Sequence, residues 1–245
     1  MPMASGRGLR FFGASLAIAG VAVAGMLVSS PRGRADDRDD DDRDASKIEQ
    51  GFDIAPVPLN LEGKNRKLVG LGSYIVNAQA DCNGCHSTGP AAEFAPGGNP
   101  YFLHTTKEKI NPATYLGGGR DFGLVSGPPS PHIISRNLTP STKTESPEGD
   151  HTLAEFLEIL RTGKDFDHLH PNCSISITTN CFPPNPPFNG DLLQIMPWPI
   201  HKNMSDHDIR AIYEYLKAIP CIQGNYPSLS GLAQGIPPEP ADRCK

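Results

Sequence analysis

The sequence predicts an all-α domain of a few helices, interrupted by long proline- and glycine-rich loops. Two observations carry that expectation. Three segments repeat apolar residues at the three- and four-residue steps of a helix face: Leu68, Leu71 and Ile75; Leu153, Phe156, Leu157 and Leu160; Ile209, Ile212, Tyr213 and Leu216. Between them, 87–150 is dense in glycine and proline, 164–189 carries the stiff run Pro183-Pro184-Asn185-Pro186-Pro187, and neither keeps a helical period.

In chain order, the first 35 residues read as targeting. Arg7 and Arg10 precede an uncharged apolar run of 18 residues, Phe11–Val28, and Gly33-Arg34-Ala35 offers a small-x-small cleavage site before Asp36. This is the layout of a secretory signal peptide spanning 1–35. The competing reading is an uncleaved anchor, but a run of 18 residues rich in alanine and glycine sits at the lower limit for spanning a hydrocarbon core of ~30 Å. Either way the rest of the chain is expected in the bacterial periplasm or otherwise exported, touching a membrane only if this segment stays attached.

Residues 36–63 read as an acidic, proline-containing linker. Seven aspartates lie between Asp36 and Asp44, broken only by Arg38 and Arg43, and Pro56 and Pro58 follow. Such a run buries no apolar surface and is expected to stay solvated. Acids outnumber bases 27 to 22, and removal of the four arginines of 1–35 leaves 18 bases and a formal charge of −9. That sign argues against nucleic-acid binding.

The first helix is expected from about Lys64 to about Asp81. Gly72 lies within it, at a cost of about 1 kcal/mol relative to alanine, which implies close approach by another element. The second helix opens on a capping box, Thr152-Leu153-Ala154-Glu155, and ends at Gly163. The third is capped by Ser205, carries Asp206 and Asp208 in its favourable first turn, and stops at Pro220. The core domain then spans 64–220, followed by a tail over 221–245.

The chemistry is concentrated where the first helix ends, at Cys82-Asn83-Gly84-Cys85-His86. Two cysteines two residues apart with a histidine directly after them form the attachment signature for haem c. Each thiol adds to one vinyl group, and the histidine then places a neutral imidazole under the iron. A bare CxxC also suits a redox disulfide or half a zinc site, but His86 and the export signal favour one covalently bound haem on Cys82 and Cys85. For the second axial ligand the methionines beyond the signal region are Met196 and Met204. Met196 is favoured: Pro197 restricts its backbone and its surroundings are apolar, whereas Met204 directly precedes the Ser205 cap, where a staple residue packs. Trp198 is expected either in the core or donating its N–H to a haem propionate.

Four cysteines remain, and in an exported chain they make two disulfides, with Cys173–Cys181 and Cys221–Cys244 favoured by proximity. Loop closure gives them roughly 2.5 and 3.5 kcal/mol. A zinc site from His168, His170, Cys173 and Cys181 is the weaker alternative. Asn137-Leu138-Thr139 also matches an N-glycosylation sequon, relevant only in a eukaryotic secretory pathway.

The order of these parts resembles a class I cytochrome c: a Gly-Ser-Tyr helix entering CNGCH, then Asn137-Leu138-Thr139-Pro140, a helix ending Arg161-Thr162-Gly163, Met196-Pro197-Trp198 and a final helix ending Leu216-Lys217-Ala218-Ile219-Pro220. It is especially similar to the cytochrome domains that accept electrons from bacterial periplasmic dehydrogenases, over 66–220 with gaps. The resemblance implies three to five helices around one haem, His86 and Met196 as axial ligands, and Gly72 and Tyr74 crossing Tyr213 and Leu216. It departs from small members in the 109 residues separating His86 from Met196 and in the cysteine-bearing segment 164–189.

The function expected is single-electron transfer outside the cytoplasm rather than catalysis, with a dehydrogenase as donor and a cytochrome or oxidase as acceptor. The alternative is a haem enzyme with an open or displaceable sixth position, peroxidase-like or thiosulfate-oxidising. That alternative needs a histidine or arginine above the iron, and Arg120 and Arg136 are the candidates, unless they pair with propionates.

Overall fold

The computed structural model describes residues 36–124, 132–148, 150–166, 191–224 and 243–245. The architecture is predominantly helical. In chain order it runs α1 (Asp36–Ile54), α2 (Arg66–Tyr74), a π-helical turn (Ile75–Gln79), α3 (Cys82–His86), α4 (Pro90–Glu93), β1 (Asp121–Leu124), β2 (His132–Ile134), α5 (Leu153–Thr162), α6 (Trp198–His201) and α7 (Asp206–Ala218). That is seven α-helices among the described residues, more than the three to five expected, because α3, α4 and α6 are short turns of helix and α1 was not anticipated. The loop region also folds a small antiparallel pair, β1 with β2. No helix among the described residues is long and apolar enough to cross a membrane. The signal segment 1–35, the zinc alternative and the Cys173–Cys181 pairing lie outside the described residues.

The stretch 36–63 is not the linker that its acidity suggested. It opens with α1, whose C-terminal half packs on α2. Ile48 and Phe52, one turn apart, supply the apolar contact, and the Arg66 guanidinium lies 4.3 Å from the centre of the Phe52 ring. The backbones approach so closely that a Cβ on Gly51 would meet the Gly70 carbonyl oxygen at 1.9 Å. Ser73 Oγ donates to the Gly51 carbonyl across the same crossing at 2.6 Å. Only 55–62 behaves as a wrapping arm, with Asn60 N–H donating to the Ala218 carbonyl at 2.8 Å and Leu59 and Leu61 packed on the core.

Helix α2 is the centre of the fold, held on two opposite faces. Gly70 faces α1, and Gly72, about 200° further round the helix, faces α7. A Cβ on Gly72 would lie 2.0 Å from the Ala211 carbonyl oxygen and 2.7 Å from Tyr215 Cβ. The close approach expected of this glycine is therefore real, and its nearest atoms belong to Ala211 and Tyr215 rather than to Tyr213 or Leu216. Tyr213 packs against Phe156 of α5, with ring centres 5.5 Å apart and the rings tilted by 55°, and donates to the His151 carbonyl. Val69, Leu71, Val76, Ile209 and Leu216 fill the crossing, each contributing roughly 1.5–3 kcal/mol by burial.

The π-turn after α2 shifts the register so that Asn77 points into this core. There it donates to the Ser73 carbonyl at 2.9 Å and to the Tyr215 hydroxyl at 3.2 Å, and accepts from the Tyr115 hydroxyl at 2.6 Å. The two tyrosine oxygens are 2.7 Å apart. Burial raises both phenol pKa values. One polar cluster thus ties α2, α7 and the 114–119 loop together, and each buried polar group in it has a partner.

The expected caps form. The Thr152 side chain and Glu155 make a reciprocal capping box at the start of α5, and Ser205 Oγ accepts from Asp208 N–H at 3.0 Å at the start of α7. The tail is tied back by the Cys221–Cys244 disulfide, across a sequence separation of 23.

Candidate functional site

A cleft of about 1160 Å³, including its solvent-open part, lies between the CNGCH turn and the loop that carries Met196. Cys82, Cys85, His86 and Met196 all line it, so residues more than a hundred positions apart meet at one cavity. Its walls are mostly apolar: Phe156, Ile159 and Leu160 from α5, Ile133 and Ile134 from β2, with Phe122, Leu138 and Leu193. Both Met196 and Met204 pack against the helical core, but of the two only Met196 lines the cleft, which separates the two methionine candidates.

The cysteine side is built by α3. Asp81 precedes it with φ 46° and ψ 46°, a left-handed conformation that bends the chain sharply out of the π-turn. Cys82 is half-buried, Cys85 is exposed, and both are free thiols. Burial, reinforced by the Asp81 carboxylate and by Cys85, pushes the Cys82 thiol up to about 12. Cys85 is also raised by burial, with Arg120 pulling the other way. A thiolate nucleophile needs the reverse, an electropositive setting that lowers the pKa.

His86 is held from both ends. Its Nδ1–H donates to the Arg136 carbonyl at 2.8 Å, since a carbonyl only accepts, and this leaves the lone pair on Nε2. Its own carbonyl accepts from Gly118 N–H at 2.7 Å. Burial pulls the imidazole below its usual pKa, and the Arg136 charge adds to that, outweighing the opposing carbonyl bond; the ring stays neutral and able to ligate. Asn83 anchors the turn from inside by accepting from Leu116 N–H at 3.0 Å.

The methionine side is a loop fastened to the end of α5. Asp165 N–H donates to the Asp191 carbonyl at 2.9 Å and Leu193 N–H to the Gly163 carbonyl at 2.7 Å. Gly163 ends α5 with φ 73°, and a Cβ there would lie 2.3 Å from the Trp198 ring. The indole therefore seats directly on that glycine, and its N–H donates to the Leu193 carbonyl at 3.2 Å. Trp198 is a clamp on the loop, which replaces both the core and the propionate expectations for it. Ile195, just before Met196, has φ 69°, a strained position for a β-branched residue. Met196 itself is half-buried.

The two arginines expected near the iron are both engaged. Arg136 lies on the cleft wall, where its guanidinium binds the buried Glu148 at 3.2 Å and the buried Asp165 at 2.5 Å. Arg120 donates to the Gly84 carbonyl and lies 4.8 Å over the Phe122 ring. Asn137 is buried, its amide donating to the Ile222 carbonyl at 2.8 Å, so the sequon is no acceptor in the folded chain.

Several contributors escaped the sequence reading. The Arg136 carbonyl is a backbone acceptor, which no residue type signals. Glu148 and Asp165 carry no pattern that joins them to Arg136. The cleft face of α5 was partly visible, since Phe156 and Leu160 were read as its apolar stripe, but Ile159 was not. Comparison with protein-family models, with curated proteins and with solved structures returned no match, so the functional reading stands on the residues of this cleft.

Proposed function

We propose that this chain is a mono-haem c-type cytochrome of the cytochrome c fold, carrying single electrons outside the cytoplasm. The observation that carries the reading is the convergence of Cys82, Cys85, His86 and Met196 on one apolar cleft. The donor set fits the group: two thiols three positions apart, an imidazole whose Nε2 holds a lone pair, and a thioether from a separate loop. Cys82 and Cys85 would hold the macrocycle by thioether bonds, and His86 and Met196 would ligate its iron. The haem would supply a one-electron couple at iron whose potential a thioether ligand raises.

The protein's own part is positional. The Arg136 carbonyl fixes the His86 tautomer, α5 supplies an apolar wall through Phe156, Ile159 and Leu160, and the Gly163–Trp198 seat holds the Met196 loop. No general acid, base or nucleophile is needed for electron transfer. A dehydrogenase outside the cytoplasm as donor and a cytochrome or oxidase as acceptor complete the reading.

A second reading, a haem enzyme with a displaceable sixth ligand, draws on the strain at Ile195 beside Met196. Carbon monoxide separates the two. A closed His/Met carrier in its reduced form binds it poorly, and Met196→Ala should open the iron to it and lower the potential. Ready binding by the unmodified reduced protein, or an unchanged sulfur-to-iron charge-transfer band in Met196→Ala, would overturn the assignment.

A further inference from the structure

The two half-cystines of the tail meet behind His86. The strap 136–142 faces the cleft at its first residue, where the Arg136 carbonyl accepts from His86 Nδ1 at 2.8 Å. The very next side chain faces backwards. Asn137 Nδ2 donates to the Ile222 carbonyl at 2.8 Å, while its Oδ1 accepts from Thr139 N–H at 2.9 Å and from Thr139 Oγ1 at 2.7 Å. Ile222 N–H returns to Thr139 Oγ1 at 3.1 Å. Ile222 adjoins Cys221. Its disulfide partner Cys244 adjoins Arg243, whose guanidinium donates to the Thr139 carbonyl and whose own carbonyl accepts from Thr142 N–H at 3.1 Å.

Residues beside both half-cystines therefore grip the strap whose leading carbonyl orients the imidazole. Asn137 and Thr139 are buried, at 2% and 0% exposure, so water does not replace these bonds. A carbonyl that orients a ligating histidine works only if it is itself held, because its direction sets the direction of Nε2.

We propose that the Cys221–Cys244 disulfide is a brace for His86, with Asn137 and Thr139 as the positioning residues that transmit it. The proposal rests on His86 being the iron ligand in its functional meaning, but the brace itself is a property of the chain. Asn137 breaks the link with the disulfide intact, and removal of both cysteines breaks it with Asn137 intact.

The test is solvent exchange of the His86 Nδ1 proton, followed by nitrogen-15 NMR of the uniformly labelled full-length protein with its disulfide intact. Four proteins are compared: the parent, Asn137→Ala, Cys221→Ser with Cys244→Ser, and the combination. Each change should speed that proton's exchange several-fold relative to the core amides of Val69 and Leu216, because a loosened acceptor carbonyl releases the N–H to solvent more often. The combination should be no faster than either alone, because both cut one path. Thr139→Ser, which keeps the hydroxyl, should exchange like the parent.

Multiplicative effects in the combination, a rise shared equally by Val69 and Leu216, or no rise at all would each overturn the brace. Haem content of the same samples after denaturation is read separately. A chain without haem would refute the haem reading, while the exchange of His86 would still decide the brace.

Discussion

The two sides of the cleft are built differently. His86 is fixed at three points: the Arg136 carbonyl on its ring, Gly118 N–H on its carbonyl, and Asn83 beneath its turn. Met196 comes from a loop that is clamped at a distance, through Gly163, Leu193 and Trp198, and that carries a strained residue at Ile195. On the proposed reading the tightly held side would bear the covalent attachment, and the loosely held side the ligand whose strength would set potential and access. Such a site would tolerate adjustment on the methionine side without losing the haem.

Substituting one residue on each side tests this contrast at its largest. His86→Ala should abolish retention of haem by the denatured chain, read by haem staining after electrophoresis. Met196→Ala should keep full staining while the reduced protein gains carbon monoxide binding. Equal loss of haem in both variants would erase the distinction.

Gly163→Ala targets the clamp. Left-handed backbone costs a Cβ-bearing residue roughly 1–2 kcal/mol, and the added methyl would also collide with the Trp198 ring at 2.3 Å. Denaturant unfolding should show a loss of about 2–4 kcal/mol, with the methionine charge-transfer band weakened well before the helical signal is lost. Coincident loss of both signals would place the loop on an equal footing with the core.

Ile195→Gly relieves the strained backbone at φ 69° and should leave the folded chain within about 1 kcal/mol of the parent. Faster carbon monoxide binding without lost stability would identify the strain as what holds the methionine in place.

The smallest effect is on pH dependence. Burial lowers the pKa of both His86 and His201, which line opposite sides of the cleft. The unfolded chain binds the His201 proton first, near pH 6.5, so this share of the stability is complete above that value and is lost as pH drops below it. His201→Gln should remove that share, flattening the slope below about pH 6.5 in urea-melt midpoints.

Elements whose physics is periodic were legible in the sequence. The stripes of α2, α5 and α7, their Thr152 and Ser205 caps and the Gly163 stop follow from residue types at fixed spacing. Helix α1 was hidden because its acidic first half dominates the composition, while Ile48, Gly51 and Phe52 act only against Gly70 of a later helix. That the CNGCH turn and Met196 matter to one site was suggested by the CxxCH spacing and by the proline after Met196, and these residues do line one cleft. The rest was not legible, because backbone acceptors such as the Arg136 carbonyl, the torsion at Ile195 and the seating of Trp198 on Gly163 exist only once the loops have met.

The central claim is a single haem bound covalently to the CNGCH turn. Its most direct measurement is the reduced pyridine haemochrome spectrum of the full-length protein, made in cells able to attach haem c, after denaturation and acid–acetone extraction. The account predicts one haem c per chain that stays with the polypeptide and is lost when Cys82 and Cys85 are both replaced by serine. Haem that extracts freely, or its absence from the protein so made, would contradict it.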